Sequence, residues 1–438
     1  MTLQLRRSLT TLSLVAVMFF NVSGGAYTTE SLIVTVGPAT GLLILALVPV
    51  FWSLPEALIV GELASMLPEE GGYYRWVYNA FGPFWAFQNG WWTWMYSLVD
   101  MAIYPVLFNQ YLSWFVPGLS GVAQWIISLA VIWTATAINL RGAGRVGVVS
   151  IVSGSFILLA FLLVSIAALP HVDHLPWVSA GKSTPAGMSA LGVGVSIALW
   201  NYIGWDNAST VQGEVRDSSR NYPRALAITL PLVTLGYLIP LSATLAATDW
   251  TKWREGGWPE IAMMAAGAFG KPLAVMLAIG GMISALALFN ALLLSYSRIP
   301  LAMANDSLLP KKLAKLDRHS TPRNAILVSA ICYSVFALLS FVHLVVADVL
   351  LYSMALFLEF AALIALRKKN PDLRGSFRIP LGRGGVTVLA LLPAVILVGV
   401  VALEMTDGEY GGPAILGALA ALLLGPIAYA FTKRAPAS

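Results

Sequence analysis

Long apolar segments recur along almost the whole chain. A helix needs about 20 apolar residues to span the hydrocarbon core of a bilayer, and twelve segments approach or exceed that length. Their approximate bounds are 8–36, 40–66, 84–115, 121–140, 145–170, 187–213, 223–248, 270–303, 322–343, 345–366, 385–405 and 411–432. This series predicts an all-α, multi-pass membrane protein with twelve transmembrane helices and no sizeable soluble domain.

The composition agrees with that class. Only 11% of the residues are charged, whereas soluble domains carry roughly 25%. Arg6 and Arg7 precede a long apolar run that lacks the cleavage site of a signal peptide, so we expect the first transmembrane helix there. The single cysteine, Cys332, lies in an apolar segment, which excludes an intramolecular disulfide and argues against a covalently linked subunit.

The basic residues predict the orientation. Cytoplasmic loops carry an excess of Lys and Arg, and an even number of spans puts both termini on one side. With the termini inside, only four of the 26 basic residues lie outside, namely Lys182, Lys252, Arg254 and Lys271. We therefore expect a plasma (inner) membrane protein with both termini in the cytoplasm.

Two segments, the first and the sixth, carry glycine and polar residues where a continuous helix favours Leu or Ala. They are five segments apart, as equivalent members of two inverted five-helix repeats would be. The repeats would be residues 1–170 and 187–368, with two accessory helices in 385–432. Paired interruptions of this kind indicate a transporter binding site, although each one alone could be a kink. The candidate contacts at the breaks are Ser23, Gly24, Gly25, Asn201 and Tyr202.

Six acidic residues are predicted to lie at membrane depth. They are Glu30, Glu56, Glu62, Asp100, Asp206 and Glu359. Charged groups at this depth are costly and usually functional, and we expect no Lys, Arg or His inside the helices to pair with them. The acidic inventory therefore favours a positively charged cargo, although each acid has a structural alternative.

Glu30 and Asp206 are the strongest candidates among the acids. Each follows a break, where a helix N-terminus stabilises an anion, although each could simply cap its half-helix. Asp100 could instead be a hydrogen-bonded packing residue. Glu56 and Glu359 could be protonated and bonded to backbone.

Aromatic residues surround the second break, namely Trp200, Tyr202 and Trp205. An ammonium over an aromatic face gains roughly 0.5–2 kcal/mol, although ordinary packing is the alternative role for each ring. Trp200 is the favoured contact because it directly precedes the break.

Other motifs do not lead to chemistry. Residues 142–147 fit GxGxxG, but they join two membrane helices and follow no strand, so no dinucleotide site is expected. His171 and His174 lack the further ligands of a metal site. We find no catalytic constellation, and we expect no enzyme activity, no cofactor, no metal and no nucleic-acid partner.

Four passages in order along the chain resemble signatures of one transporter superfamily. They are the small-residue break at 23–27, the run at 204–225 ending in Asn-Tyr-Pro-Arg-Ala, the run at 297–310 beginning Ser-Arg-Ile-Pro, and the run at 367–380 beginning Arg-Lys-Lys-Asn-Pro-Asp. Together they are similar to the amino acid–polyamine–organocation superfamily, over nearly the whole chain.

Further passages are similar to the polyamine uptake transporters, a branch related to the L-type amino acid transporters. They are 22–25 with Glu30, 52–59, 70–73, 82–85, Asp100 with 104–108, 205–210 and 358–360. The resemblance implies an inverted-repeat core of helices one to ten and alternating access. It also implies substrate contact at Tyr104 and an aromatic gate at Trp200.

Two departures from the superfamily pattern bear on substrate and coupling. Helix five carries Gly154 and Ser155 where some proton-coupled members carry a lysine. The first break departs from the strict motif that holds a substrate carboxylate, and Glu30 follows closely. The first departure means that the coupling device of those members cannot be transferred to this chain. The second suits a polyamine, which has no carboxylate, better than an amino acid.

Three functions stay open at this point. The leading hypothesis is a secondary transporter that imports polyamines or related organic cations, and a coupled proton carried on a carboxylate is compatible with it. A neutral or cationic amino-acid permease of the same fold is the first alternative. A nutrient sensor that binds without transport is the alternative of another class.

Overall fold

The computed structural model describes residues 5–178, 187–337, 341–404 and 411–432. Lys182, counted above on the outer side, lies outside these residues. The described chain is built from helices and helical turns and contains no β-strand, apart from an isolated bridge between Leu9 and Val215. The protein is therefore all-helical in the part that the structure describes.

Seventeen α-helices lie within the described ranges. Their bounds are α1 Thr11–Val22, α2 Thr29–Val36, α3 Pro38–Val48, α4 Leu54–Met66, α5 Gly72–Phe81, α6 Pro83–Leu112, α7 Gly121–Asn139, α8 Ala143–Ala168, α9 Met188–Trp200, α10 Ser218–Leu245, α11 Trp258–Ala265, α12 Gly270–Tyr296, α13 Arg298–Asn305, α14 Arg323–Phe336, α15 Phe341–Lys369, α16 Arg383–Glu404 and α17 Gly411–Thr432. A π-helical turn, Pro49–Ser53, joins α3 to α4. Short 3-10 turns lie at Leu169–His171, Asn207–Glu214, Trp250–Lys252, Gly267–Phe269 and Lys311–Ala314.

Seven described helical stretches are long and apolar enough to cross a membrane. They are Pro38–Met66, Gly121–Asn139, Ala143–His171, Ser218–Leu245, Gly267–Asn305, Val349–Lys369 and Arg383–Val400. They coincide with predicted segments two, four, five, seven, eight, ten and eleven. The chain is thus a multi-pass membrane protein.

Both predicted breaks are present as non-helical chain. The first separates α1 from α2, and the second separates α9 from the 3-10 turn Asn207–Glu214. Glycine is required at both: a Cβ on Gly24 would lie 2.1 Å from Ser284 Oγ, and one on Gly204, whose φ is +100°, would lie 2.3 Å from the Asn21 carbonyl oxygen. At Gly24 the close neighbour is a side chain, whereas at Gly204 it is backbone, so a side chain at either position would require its surroundings to move.

The two breaks lie inside the helix assembly. Helix α1 packs against α8, α10 and α12, α12 packs against α6, and α15 packs against α6. Unwound backbone in a membrane must be buried in protein or line a cavity, because its N–H and C=O groups have no lipid partner. Both breaks meet this condition, since Ser23 and Asn201 are buried.

One expectation about the acids is wrong. Glu62 does pair with a basic side chain: Arg367, in the last turn of α15, donates from Nε to Glu62 Oε1 over 2.7 Å. The Ile379 N–H donates to Glu62 Oε2 over 2.8 Å. Arg367 was assigned to a cytoplasmic loop, but α15 continues past it and turns its guanidinium inward, where it is buried.

Candidate functional site

A small cavity lies between the two breaks. The volume available to the centres of water molecules is ≈ 30 Å³. This is room for roughly one or two waters. Its lining residues come from both breaks and from α6, α12 and α15, and are Asn21, Val22, Ser23, Gly24, Tyr27, Thr28, Tyr96, Asp100, Tyr104, Leu107, Tyr111, Trp200, Asn201, Ile203, Gly204, Asn207, Gly281, Ser284, Ala285, Leu288, Tyr296 and Tyr352. The cavity is the natural candidate for a substrate site at the meeting point of the two breaks.

Asp100 is the only charged residue among these described lining residues. Its Oδ1 accepts a hydrogen bond from Tyr104 Oη over 2.5 Å, one helical turn along α6. Its Oδ2 accepts from Tyr296 Oη over 2.8 Å, at the end of α12. Two phenol donors thus hold the carboxyl group in place beside the cavity.

Aromatic rings form much of the wall around Asp100. The lining includes six tyrosines and Trp200. Trp200 stacks on Tyr104 with ring centroids 6.3 Å apart and an interplanar angle of 26°. Because ring faces attract cations, this wall suits a positively charged group that pairs with Asp100.

Side-chain hydrogen bonds replace the helical bonds lost at the breaks. Ser284 Oγ donates to the Gly24 carbonyl over 2.6 Å, and Tyr237 Oη donates to the Asn201 carbonyl over 2.7 Å. Thr28 Oγ1 donates to Asn201 Oδ1 over 2.9 Å. The last of these joins the two breaks directly across the site.

Asp206 lies behind the cavity wall, in contact with Tyr352. Tyr352 Oη is 2.6 Å from Asp206 Oδ1 and 2.5 Å from Glu56 Oε1. Glu359, about two helical turns further along α15, is fully buried and interacts with Asn89 and Asp206. These three acids form a group separate from Asp100, reached from the cavity through Tyr352.

Glu30 lies in the first turn of α2, as its position after the break predicts. Its Oε1 accepts from the Gly256 N–H over 2.9 Å, in the loop that precedes α11. The carboxyl group is fully buried, but it is not among the described residues that line the cavity. It lies beyond Tyr27 and Tyr111, which do line it.

Six of the twelve predicted site residues line the cavity and six do not. Those that line it are Ser23, Gly24, Asp100, Tyr104, Trp200 and Asn201. Those that lie elsewhere are Gly25, Glu30, Tyr202, Trp205, Asp206 and Glu359. Tyr202 and Trp205 are buried in packing, where Trp205 Nε1 donates to the Tyr202 carbonyl over 2.8 Å. Substrate contact by each of the twelve stays a prediction.

The sequence analysis missed several lining residues. Tyr96, Tyr296 and Tyr352 come from three different helices and belong to no motif, so no sequence signal could have selected them.

Among the described residues, no group of three acidic, cysteine or histidine side chains is arranged to hold a metal ion.

Comparison with known proteins identifies the family. A family model described as amino acid permease matches residues 9–418. The chain belongs to the amino acid permease family. It is accordingly a membrane transport protein and not an enzyme.

Three relatives of this permease are polyamine transporters by name. A probable polyamine transporter of Arabidopsis thaliana is 35% identical over 401 residues, covering 91% of this chain and 80% of the relative. A second polyamine transporter of Arabidopsis thaliana is 36% identical over 402 residues, covering 90% and 80%. A polyamine transporter of Oryza sativa subsp. japonica is 34% identical over 401 residues, covering 91% and 74%. The residues that the family model matches, 9–418, include both breaks and every residue that lines the cavity.

Proposed function

We propose that this amino acid permease family member imports polyamines or related organic cations by alternating access. The observation that carries the proposal is the lining of the cavity, where Asp100 is the only charge among the described residues and aromatic rings surround it. No lysine, arginine or histidine is among those lining residues. The names of the relatives support the same substrate class.

The energetics favour a cation over a zwitterion. An ammonium group that reaches Asp100 can form a charge-assisted hydrogen bond and can rest on the faces of Tyr104 and Trp200. The α-carboxylate of an amino acid would be repelled by the Asp100 carboxylate. It would also find no basic side chain among the described lining residues. A linear polyamine has only ammonium groups and methylene stems, which match an acidic and aromatic wall.

The size of the cavity supports alternating access. A space of ≈ 30 Å³ for the centres of water molecules holds roughly one or two waters, which is less than an extended polyamine with its several methylene groups occupies. Substrate entry and exit would then involve movement of the surrounding helices. Trp200, stacked on Tyr104 at the end of α9, is positioned to act as the gate.

We further propose the membrane arrangement that goes with this function. Twelve transmembrane helices form a five-plus-five inverted-repeat core over residues 1–170 and 187–368, with two accessory helices in 385–432. Both termini are cytoplasmic, and the protein resides in the plasma (inner) membrane. The five-segment spacing of the two breaks and the distribution of Lys and Arg support this arrangement.

An amino-acid permease of the same fold is the second candidate, and the description of the family model favours it. The deciding experiment measures uptake of radiolabelled putrescine, spermidine, lysine and leucine into proteoliposomes of purified protein, with and without an inside-negative potassium-diffusion potential. A dication gains about 2 × 2.3 kcal/mol per 100 mV, so polyamine uptake should rise steeply with potential. Amino-acid uptake without polyamine uptake would favour the second candidate, and binding without flux would indicate a sensor.

Asp100→Asn is the matching variant. Removing one partner of a buried charge pair costs about 2–5 kcal/mol, so polyamine affinity should fall at least about 30-fold in calorimetry. Asp249→Asn, which removes an exposed acid in the outer loop, serves as the control and should bind normally. Undiminished polyamine affinity in Asp100→Asn would overturn the assignment of the site.

A further inference from the structure

A second cavity lies apart from the substrate cavity, between the first turns of α6, the first turns of α14 and the helix α13. The volume available to the centres of water molecules is ≈ 110 Å³. None of the described residues that line it is charged, and most are aliphatic or aromatic, such as Phe87, Trp91, Met303 and Leu313. An apolar void stays dry and takes up apolar ligands. The wall of this cavity therefore suits a hydrocarbon.

The cavity reaches the outer surface of the helix assembly at α14. Val328, which lines the cavity, is 43% exposed. Ile331 and Val335 lie on the same face of α14, three and seven residues further along, and they are 56% and 62% exposed. An exposed apolar face of a membrane protein contacts lipid. A hydrocarbon chain that lies along this face can enter the cavity beside Val328.

Two lysines lie next to the cavity in the connection between α13 and α14. Leu309 and Leu313 line the cavity, and Lys311 and Lys312 lie between them in sequence, at the start of a 3-10 turn. Asn324 Nδ2 donates to the Lys312 carbonyl over 2.7 Å and so holds this turn against the start of α14. Both lysine side chains are exposed. Positive charge thus borders an apolar cavity.

The whole connection between α13 and α14 has a net positive charge. Residues 306–323 contain two acidic residues, of which Asp306 pairs with Arg75 and Asp317 accepts from the Thr321 hydroxyl. None of its basic side chains forms an ion pair with a described residue. The basic residues, all of them exposed, are Lys311, Lys312, Lys315, Arg318 and Arg323. This charge is available to an anionic partner.

The proposed orientation puts the cavity on the cytoplasmic side of the membrane. Its lining residues on α6 lie four to eleven residues after Pro83, which is about 6–17 Å along the helix. Anionic lipids are concentrated in the cytoplasmic leaflet, where they attract basic segments next to membrane spans. A phospholipid of this leaflet combines a negative phosphate with the hydrocarbon chains that the cavity suits.

We propose that the cavity and the lysines beside it bind an anionic phospholipid, with one acyl chain in the cavity and the phosphate at Lys311 and Lys312. We call this arrangement the lipid site. The proposal rests on the proposed orientation and does not depend on which substrate the protein transports.

The lipid site lies next to the two elements that hold Asp100. Trp94 lines the lipid site and comes six residues before Asp100 on α6, and Ile299 lines it and comes three residues after Tyr296. Asp100 and Tyr296 are joined by a hydrogen bond of 2.8 Å. An acyl chain between these elements fills space that separates them, so bound lipid should stabilise the conformation seen here.

The first test measures lipid binding to the purified full chain by native mass spectrometry. Palmitoyl-oleoyl phosphatidylglycerol is compared with phosphatidylcholine that carries the same acyl chains. We expect one molecule of phosphatidylglycerol to bind at least about tenfold more tightly than phosphatidylcholine. Combining Lys311→Gln with Lys312→Gln should lower the affinity for phosphatidylglycerol about 30-fold, because each basic residue near an anionic lipid contributes roughly fivefold.

The matched control removes two other basic residues from the same side of the proposed topology. Arg220→Gln combined with Arg224→Gln takes two exposed charges from the start of α10, a helix that does not line the cavity. This variant should bind phosphatidylglycerol like the wild type. Equal affinity of the wild type for the two lipids, or equal losses in the two charge variants, would overturn the proposal. Displacement of phosphatidylglycerol by millimolar inorganic phosphate would also contradict it, because the site would then take a soluble anion.

The second test examines the acyl chain. Val328→Trp places a bulky apolar ring at the mouth of the cavity without changing the charge, and Val335→Trp places the same ring on the same exposed face outside the cavity. Phosphatidylglycerol with a diazirine on one acyl chain should crosslink to α13 and to the first turns of α14 in the wild type and in Val335→Trp. Crosslinking there should fall at least about fivefold in Val328→Trp.

The melting temperature in detergent gives a readout that needs no variant. It should rise when phosphatidylglycerol is added and stay unchanged with phosphatidylcholine. Crosslinks confined to other helices, or the same melting temperature with both lipids, would contradict the lipid site. These measurements involve no transport, so their outcome is independent of the outcome of the polyamine uptake experiment.

Discussion

Thr28 of the first break donates its hydroxyl hydrogen to the side-chain oxygen of Asn201 in the second break, over 2.9 Å. Both residues line the cavity and both are buried. A hydrogen bond between two side chains thus links the two interrupted segments. A substrate between them would meet two breaks whose positions depend on each other.

Thr28→Val should weaken substrate binding by leaving the buried Asn201 oxygen without a donor, at a cost of about 1–3 kcal/mol. A double-mutant cycle with Asn201→Ala on putrescine affinity should give a coupling energy of about 0.5–3 kcal/mol. Thr35→Val removes a hydroxyl that bonds only within α2 and should show no coupling to Asn201→Ala. Additive effects of Thr28→Val and Asn201→Ala would show that the bond does not link the breaks functionally.

Trp200 is expected to close over the bound substrate. Trp200→Ala removes a ring face worth up to about 2 kcal/mol for a desolvated cation, so affinity should fall up to about 30-fold and preloaded substrate should leak faster. Trp200→Phe keeps a ring against Tyr104 and should retain much of the function. Kinetics of uptake and efflux in proteoliposomes check this, and wild-type behaviour of the alanine variant would assign the ring to packing.

Gly204→Ala is expected to destabilise the protein more than Gly37→Ala. Both glycines have positive φ, +100° and +81°, but an added Cβ meets the Asn21 carbonyl oxygen at 2.3 Å in the first case and nothing within 4 Å in the second. The backbone strain alone costs about 1–3 kcal/mol. The difference in apparent melting temperature in detergent isolates the clash, and equal values would mean that the second break can move away from the first.

A buried ion pair and a partly exposed ion pair should lose different amounts of stability when the acid of each pair is neutralised. Arg298 is fully buried and donates from Nη2 to Glu214 Oε1 over 2.7 Å. Glu214→Gln should cost up to about 3–5 kcal/mol, because the buried guanidinium then keeps only Glu70 Oε1, 3.8 Å from its Nε. Arg75 and Asp306 are partly exposed at 21% and 18%, and Asp306→Asn should cost about 1 kcal/mol or less. Thermal melting of the two purified variants compares these losses of stability. A larger fall in melting temperature for Asp306→Asn than for Glu214→Gln would contradict the prediction.

Cysteine labelling should establish the orientation. In a Cys332→Ala background, a cysteine at Lys252, which is 69% exposed, should react with an impermeant maleimide in intact cells. A cysteine at Lys312, also exposed, should react only after the cells are broken. The opposite pattern would invert the proposed topology.

The sequence determined the class of protein and the location of its unusual backbone. Apolar segments of membrane length and the sparse charge predicted a multi-pass helical protein, and glycines at 24, 25 and 204 predicted the two breaks. These features are local: a bilayer selects for apolar length, and a chain that must pass close to another selects for glycine. The motifs that resemble the superfamily were also local, and they agree with the family that the chain belongs to.

Only the tertiary structure decided which acidic side chains line the cavity and which bind a phenol or a guanidinium elsewhere. Glu30 and Asp206 were the favoured cavity acids, but Asp100 is the one in the lining, and Asp206 contacts Tyr352, 146 residues further along the chain. Glu62 finds Arg367 across 305 residues. A helix that is apolar on all sides carries no periodic signal for its inward face. The rotation of each helix is fixed by packing against its neighbours, and that rotation determines which carboxyl groups face the substrate, a phenol or a guanidinium.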